Sequence, residues 1–139
     1  MSAAIETPLG DAEFAKLLEF RDGLRRFTHW SEQRAKTAGL TAAQHQLLLA
    51  VRGHGAPPSV GEVAEHLLLR HHSAVELVDR AERAELVRRV TDVSDHRVVR
   101  LELTPKGAAR LAELAAAHLE ELSRLRPMFE GLWRHLPDD

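Results

Sequence analysis

Two short runs carry side chains able to act on something outside the chain. The first is "RHHSAVELVDR", where Arg70, His71, His72, Ser73, Glu76 and Arg80 supply guanidiniums, imidazoles, a hydroxyl and a carboxylate. The second is "DHRVVR", with Asp95, Arg97 and Arg100. Metal chelation is one use of such groups. Adjacent helical residues point about 100° apart, so His71 and His72 cannot hold one ion together. His72 and Glu76 are four apart and can, but two ligands are too few for a structural zinc site and no third lies near in sequence. No metal site is assigned. Catalysis has less support. Cysteine is absent, and there is no activated nucleophile, glycine-rich phosphate loop or carboxylate dyad. Neither a cofactor nor an enzymatic activity is expected. The plain alternative for the two histidines is a solvated helix start.

The elements around these runs narrow the choice. Asp11 can cap a helix from Ala12, and Phe14, Leu17, Leu18, Leu24 and Phe27 recur at helical spacing to about Thr37, with Gly39 as the stop. Thr41 and Gln44 form a capping box for a second helix, and Ser59 and Glu62 for a third. After a turn over residues 68–70, His71 opens a fourth helix to about Glu85, with Ala74, Leu77, Val78 and Ala81 as its apolar face. "LVRRVT" and "RVVRLELT" are rich in β-branched residues. The second alternates Val99, Leu101 and Leu103 with Arg100 and Glu102, and the turn "DVSDH" separates the two, which predicts a β-hairpin. Thr104 and Pro105 start another helix, striped by Leu111, Leu114, His118, Leu122 and Leu125. Pro127 is expected to start a last short helix with Phe129, Leu132, Trp133 and Leu136.

Three short helices followed by a two-stranded hairpin make a winged helix-turn-helix. The expected fold class is mainly α with a small β-hairpin wing, in one domain over residues 1–139. Helices over about 12–37 and 105–136 flank a winged unit of about 41–104. Each flanking helix carries an apolar stripe that needs a partner. A second copy related by a two-fold axis is the simplest one, so the flanking helices are expected to form a homodimer.

In a helix-turn-helix the first turn of the second helix faces the major groove of double-stranded DNA. Arg70, His71, His72, Ser73, Glu76 and Arg80 are placed there, with His72 better aimed than His71. Glu76 can accept a hydrogen bond from cytosine N4, or can pair with Arg80 for a few tenths of a kcal/mol. Val75 can touch a thymine methyl or pack. Arg97 at the hairpin tip can enter a minor groove, where narrow A·T tracts focus negative potential. Asp95 can fix its direction, or the two can form an idle surface ion pair. Arg88, Arg89 and Arg100 are either phosphate contacts or solvated strand charges. The net charge of −2 does not oppose this reading, because placement decides. Residues 70–100 hold seven arginines against six acids and no lysine, and arginine suits bidentate phosphate and base contacts.

The chain resembles the MarR family of bacterial transcriptional regulators. In "DHRVVRLELTPKG", Asp95, Arg97, Leu103, Thr104 and Gly107 match the family's wing pattern. "LTAAQ" matches the start of its second helix, and "VGEVAEHL" and "LVDR" match its helix-turn-helix, over about residues 12–136. Glu85 stands where the family usually has glycine. Arg70 stands where it often has a small polar cap, and Val75 and Glu76 where it has threonine or serine and then arginine. The resemblance implies a ligand-responsive repressor on a pseudo-palindromic operator. It also implies a small aromatic or phenolic effector near the end of the first helix, where Arg26, Trp30 and His45 are candidates. Core and dimer packing is the alternative for Trp30 and Phe27. A metal-responsive regulator, suggested by nine histidines, and a winged-helix protein-interaction module are the rival functions. No apolar run approaches the roughly 20 residues of a membrane span, and the N-terminus lacks a signal-peptide pattern, so a cytoplasmic location without membrane contact is expected.

Overall fold

A computed structural model describes residues 8–134 and 136. The elements are α1 (Asp11–Thr37), α2 (Ala42–Gly53), α3 (Val60–Leu67), α4 (His71–Arg83), β1 (Val87–Thr91), β2 (Val99–Leu103) and α5 (Pro105–Trp133). Mainly helical structure with one antiparallel hairpin is the expected class. Both capping boxes form: Thr41 accepts from the Gln44 N–H while Gln44 accepts from the Thr41 N–H, and Ser59 and Glu62 do the same. Such reciprocal bonds satisfy N–H groups that a helix start leaves without partners. Thr104 Oγ1 accepts from Gly107 N–H at 3.0 Å and starts α5. The start of α1 shifts by one residue, because Glu13, rather than Asp11, reaches back to the Gly10 N–H at 3.0 Å.

The chain divides into two units, residues 1–31 with 117–139 and residues 32–116. The second is the winged helix-turn-helix. Leu47 and Leu48 of α2, Val63 of α3, Val78 and Ala81 of α4, Leu86, Leu101 of β2, and Leu111 and Leu114 of α5 form one buried cluster. In the hairpin Val87 pairs with Leu103 and Thr91 with Val99. The period-2 alternation therefore sends Leu101 inward and leaves the neighbouring Arg100 and Glu102 on the other face. The segment before α3 adds a bridge between Ser59 and Arg100, and Leu101 N–H donates to Pro58 O at 2.8 Å.

Two expectations need correction. Helix α4 ends at Arg83 rather than Glu85, and Glu85 itself takes a left-handed φ of 62°. Its N–H and that of Leu86 still close the helix, on Glu82 O and Ala81 O. Pro127 does not open a new helix; α5 runs through it to Trp133, and Leu136 lies beyond the end. An interior proline removes one helix hydrogen bond and costs about 3 kcal/mol. Tertiary packing offsets it. Met128 and Phe129 lie against Gly23, and the rings of Phe129 and Trp133 meet that of Phe20 at 6.2 and 5.9 Å. These contacts belong to the first unit and hold the turn after the proline on the face used before it.

Candidate nucleic-acid interface

Helix α4 buries Ala74, Val78 and Ala81, which turns the opposite side outward. Arg70, His71, His72, Glu76 and Arg80 are all exposed, and Ser73 and Val75 are half-buried at the edge of that face. Arg70 occupies the N-cap position without a side-chain cap bond, so its guanidinium is not used to terminate the helix. Among the described residues, none of the five exposed side chains forms a hydrogen bond or ion pair; in particular Glu76 does not pair with Arg80. Charged groups of both signs and two imidazoles thus share one solvent-facing surface with their bonding capacity unspent.

The wing tip is more ordered than its composition suggests. Asp92 Oδ2 accepts from Ser94 Oγ at 2.7 Å, Asp95 N–H at 2.8 Å and Ser94 N–H at 3.1 Å. This is an aspartate turn, formed within the expected turn "DVSDH" by the spacing Asp92-Val93-Ser94-Asp95. The donors, Ser94 hydroxyl first, hold the Asp92 carboxyl below the usual carboxylate range. The turn in turn places Asp95, whose two oxygens accept from Arg97 Nε at 3.0 Å and Nη2 at 3.1 Å. That pair is the main cause of a lowered Asp95 pKa. Arg97 nevertheless remains 90% exposed.

The remaining arginines of this region are engaged within the unit. Arg89 of β1 reaches α4, with Nη2 on Asp79 and Nη1 on Glu82, each at 2.7 Å. Arg88 pairs across the hairpin with Glu102 at 2.9 Å. Arg100 joins Glu62 of α3 at 2.9 Å and Asp92 at 3.4 Å. Each of the three is thus ion-paired within the protein, which neither reading, phosphate contact or solvated strand charge, anticipated.

The effector candidates fall in both units. Arg26 is exposed on α1. Trp30 is half-buried in the first unit, where its ring stacks on Phe27 at 6.1 Å and meets His118 at 4.8 Å, while His118 bonds Ser31 Oγ at 2.7 Å. Trp30 is therefore used for packing. His45 is buried in the second unit, on the inner face of α2.

Comparison with known proteins follows the same lines. The family model described as "MarR family" matches residues 38–98. The chain is 34% identical over 105 residues to the HTH-type transcriptional repressor NicR of Pseudomonas putida, covering 74% of this chain and 66% of that one. It is 38% identical over 73 residues to the HTH-type transcriptional regulator YsmB of Bacillus subtilis, covering 52% of this chain and 48% of that one. The chain thus spans about half the length of that relative, and 55% of the B. subtilis repressor MdtR. A MarR family structure from Bacillus stearothermophilus superimposes with TM-score 0.75 at 24% identity, over 91% of this chain and 94% of that one. A Staphylococcus aureus MepR–DNA complex gives TM-score 0.67 at 19% identity, over 77% and 78%.

Proposed function

Because the chain belongs to the MarR family of winged helix-turn-helix proteins, we propose that it is a transcriptional regulator that binds double-stranded DNA as a homodimer. The observation that carries this reading is the outward face of α4, where Arg70, His71, His72, Glu76 and Arg80 are exposed and without internal side-chain partners. Ser73 and Val75 border that face and complete the proposed groove contacts. Arg97, aimed by Asp95, is the proposed minor-groove contact. The similarity to transcriptional regulators, rather than to enzymes, supports the same conclusion.

Assembly follows from exposed apolar surface. Phe14, Leu17 and Leu18 on α1, and Leu119, Leu122 and Trp133 on α5, are largely exposed. The i, i+3 and i, i+4 spacing of Phe14, Leu17 and Leu18, and the i, i+3 spacing of Leu119 and Leu122 with Trp133 three turns on, lines them into stripes, and stripes of this kind mark protein–protein contacts. A two-fold dimer places two α4 helices on half-sites about one helical turn apart. Repression, the role in the names of the MdtR and NicR relatives, is the proposed output, and the cytoplasm is the proposed location. Release by a small aromatic or phenolic acid is the proposed control, with Arg26, Trp30 and His45 the first residues to substitute.

Selection of bound fragments from a random DNA pool, followed by titration at several salt concentrations, tests the core of the proposal. The expected result is an inverted repeat with half-sites about 10–10.5 bp apart and affinity that falls steeply with salt. Failure to enrich any sequence, with the protein folded and dimeric by light scattering, overturns DNA binding and leaves a protein-interaction module.

A further inference from the structure

Glu76 stands at the middle of the outer side of α4. It lies about 160° around the axis from Ala74 and from Val78, and about 140° from Ala81, at about 100° per residue; those three are the buried residues of this helix. His72 one turn before and Arg80 one turn after share that side, and all three are exposed. The helix has two other carboxylates, Asp79 and Glu82, and both are taken by Arg89 at 2.7 Å. Among the described residues Glu76 has no hydrogen bond or ion pair, although Arg80 is four residues on, the spacing at which helical pairs form.

A lone carboxylate at that place opposes binding to a polyanion. With α4 in the major groove it stands between two rows of phosphates, and its repulsion is offset only by a donor on a base edge. The groove offers two, cytosine N4 and adenine N6. They are not equivalent. Adenine N6 lies between two acceptors, its own N7 and O4 of the paired thymine. Cytosine N4 has one, O6 of the paired guanine, and only the C5 hydrogen on its other flank. An ionised carboxylate accepts and cannot donate, so it is repelled on both sides of N6 and on one side of N4. Guanine and thymine present acceptors and no donor.

We infer that Glu76 selects cytosine at one position of each half-site by accepting a hydrogen bond from N4, and that methylation of that N4 excludes the protein. This rests on the reading that α4 enters the major groove. In the base pair one N4 hydrogen goes to guanine O6 and the other faces the groove. An N4-methyl group preserves the pair by taking the groove-facing place, so the hydrogen lost is the one that Glu76 needs. The carboxylate is then left among phosphates without a partner, which costs more than the hydrogen bond alone. His72 and Arg80 flank it with donors suited to guanine O6 and N7.

The test uses the full-length protein and the operator recovered from the random pool. Each position of the half-sites is replaced in turn by the other three bases, and affinity is read by fluorescence anisotropy at constant salt. The parent should require cytosine at one position, losing about five- to tenfold with any other base, the discrimination of a single directed base contact. N4-methylcytosine there should weaken the parent as much. Glu76→Gln should move the preference at this position alone from cytosine to adenine, because a carboxamide donates to N7 and accepts from N6. Glu76→Ala should be indifferent there to base and to the methyl group. It should also bind unrelated DNA more tightly than the parent, since a negative charge has left the surface. Both variants are checked for folding by circular dichroism. Identical base preferences in the parent and both variants overturn this inference and leave DNA binding by α4 in place. So does a parent that tolerates N4-methylation at every cytosine of the operator. A pool without any enriched sequence overturns the DNA-binding reading itself, and this inference with it.

Discussion

Both carboxylate oxygens of Asp95 hold the guanidinium of Arg97, at 3.0 and 3.1 Å, while Arg97 remains 90% exposed. So exposed a pair contributes little to folding. Its effect is on position: the Asp92 turn places Asp95, and Asp95 holds the guanidinium at the hairpin tip. Arg97→Ala should therefore leave the unfolding midpoint unchanged, weaken DNA binding and reduce the slope of log affinity against log salt by about 1. Fluorescence anisotropy against the selected operator reads both. Equal affinities for variant and parent across the salt range would remove the wing from the interface.

Arg89 ties β1 to α4 through Asp79 and Glu82, and Glu82 also accepts the Arg89 N–H at 3.2 Å. Arg89→Met keeps much of the apolar stem but leaves two carboxylates facing each other without a cation. A loss of about 1 kcal/mol is expected, at the upper end for partly exposed pairs. Urea unfolding measures it. A variant as stable as the parent would mean that the pair forms without net gain.

Glu85 occupies a left-handed conformation, φ 62°, which costs an L residue about 1–2 kcal/mol. Glycine removes that cost but adds freedom to the unfolded chain. Glu85→Gly should therefore stabilise the winged unit by about 0.5–1 kcal/mol. Its carboxylate is exposed and caps nothing, so little is lost in exchange. A lower urea midpoint for the variant would show that the backbone here is not strained.

Gly107 has the opposite constraint. A Cβ there would overlap the carbonyl oxygen of Leu86, a backbone atom. The start of α5 must approach that carbonyl because Thr104 N–H bonds it at 3.1 Å and Thr104 Oγ1 bonds Glu85 O at 2.6 Å. Gly107→Ala should therefore cost about 1–3 kcal/mol or more, the range for overpacking a tight site. A drop of less than about 0.5 kcal/mol in urea unfolding would show that α5 can shift without loss.

What is legible in the sequence is what local bonds decide. Thr41 with Gln44, Ser59 with Glu62 and Thr104 with Gly107 join residues three apart, and the alternation of Val99, Leu101 and Leu103 needs only the strand period. Pro127 misleads because its local rule is outweighed by aromatic packing from Phe20, more than a hundred residues away in the chain. Arg89 and Arg100 are ambiguous in sequence because their partners are chosen by the fold: Asp79 lies 10 residues away and Glu62 38. The face of α4 is readable for a simpler reason, since a helix with Ala74, Val78 and Ala81 inside must put His72, Glu76 and Arg80 outside.

Acid should weaken the wing through Asp92 and Asp95. Asp92 is held below the usual carboxylate range, by Ser94 first and then by the Asp95 N–H and Arg100, and Asp95 is held below it by Arg97. A folded-state pKa below the unfolded value means that the unfolded chain binds protons first as pH falls. Each carboxylate thus contributes stability that is complete above the unfolded value of about 3.9 and is lost as pH drops through the lower folded value. Stability should be insensitive to these groups near neutrality and should fall below about pH 4. Asp92→Asn keeps an acceptor oxygen for Ser94 and the Asp95 N–H but loses the charge facing Arg100. The variant should be less stable than the parent at pH 7, and its stability should fall less between about pH 5 and 2, so that the two curves converge in acid. Urea midpoints by circular dichroism across that range are the measurement. Parallel curves would show that the Asp92 charge contributes nothing beyond its hydrogen-bonding oxygen.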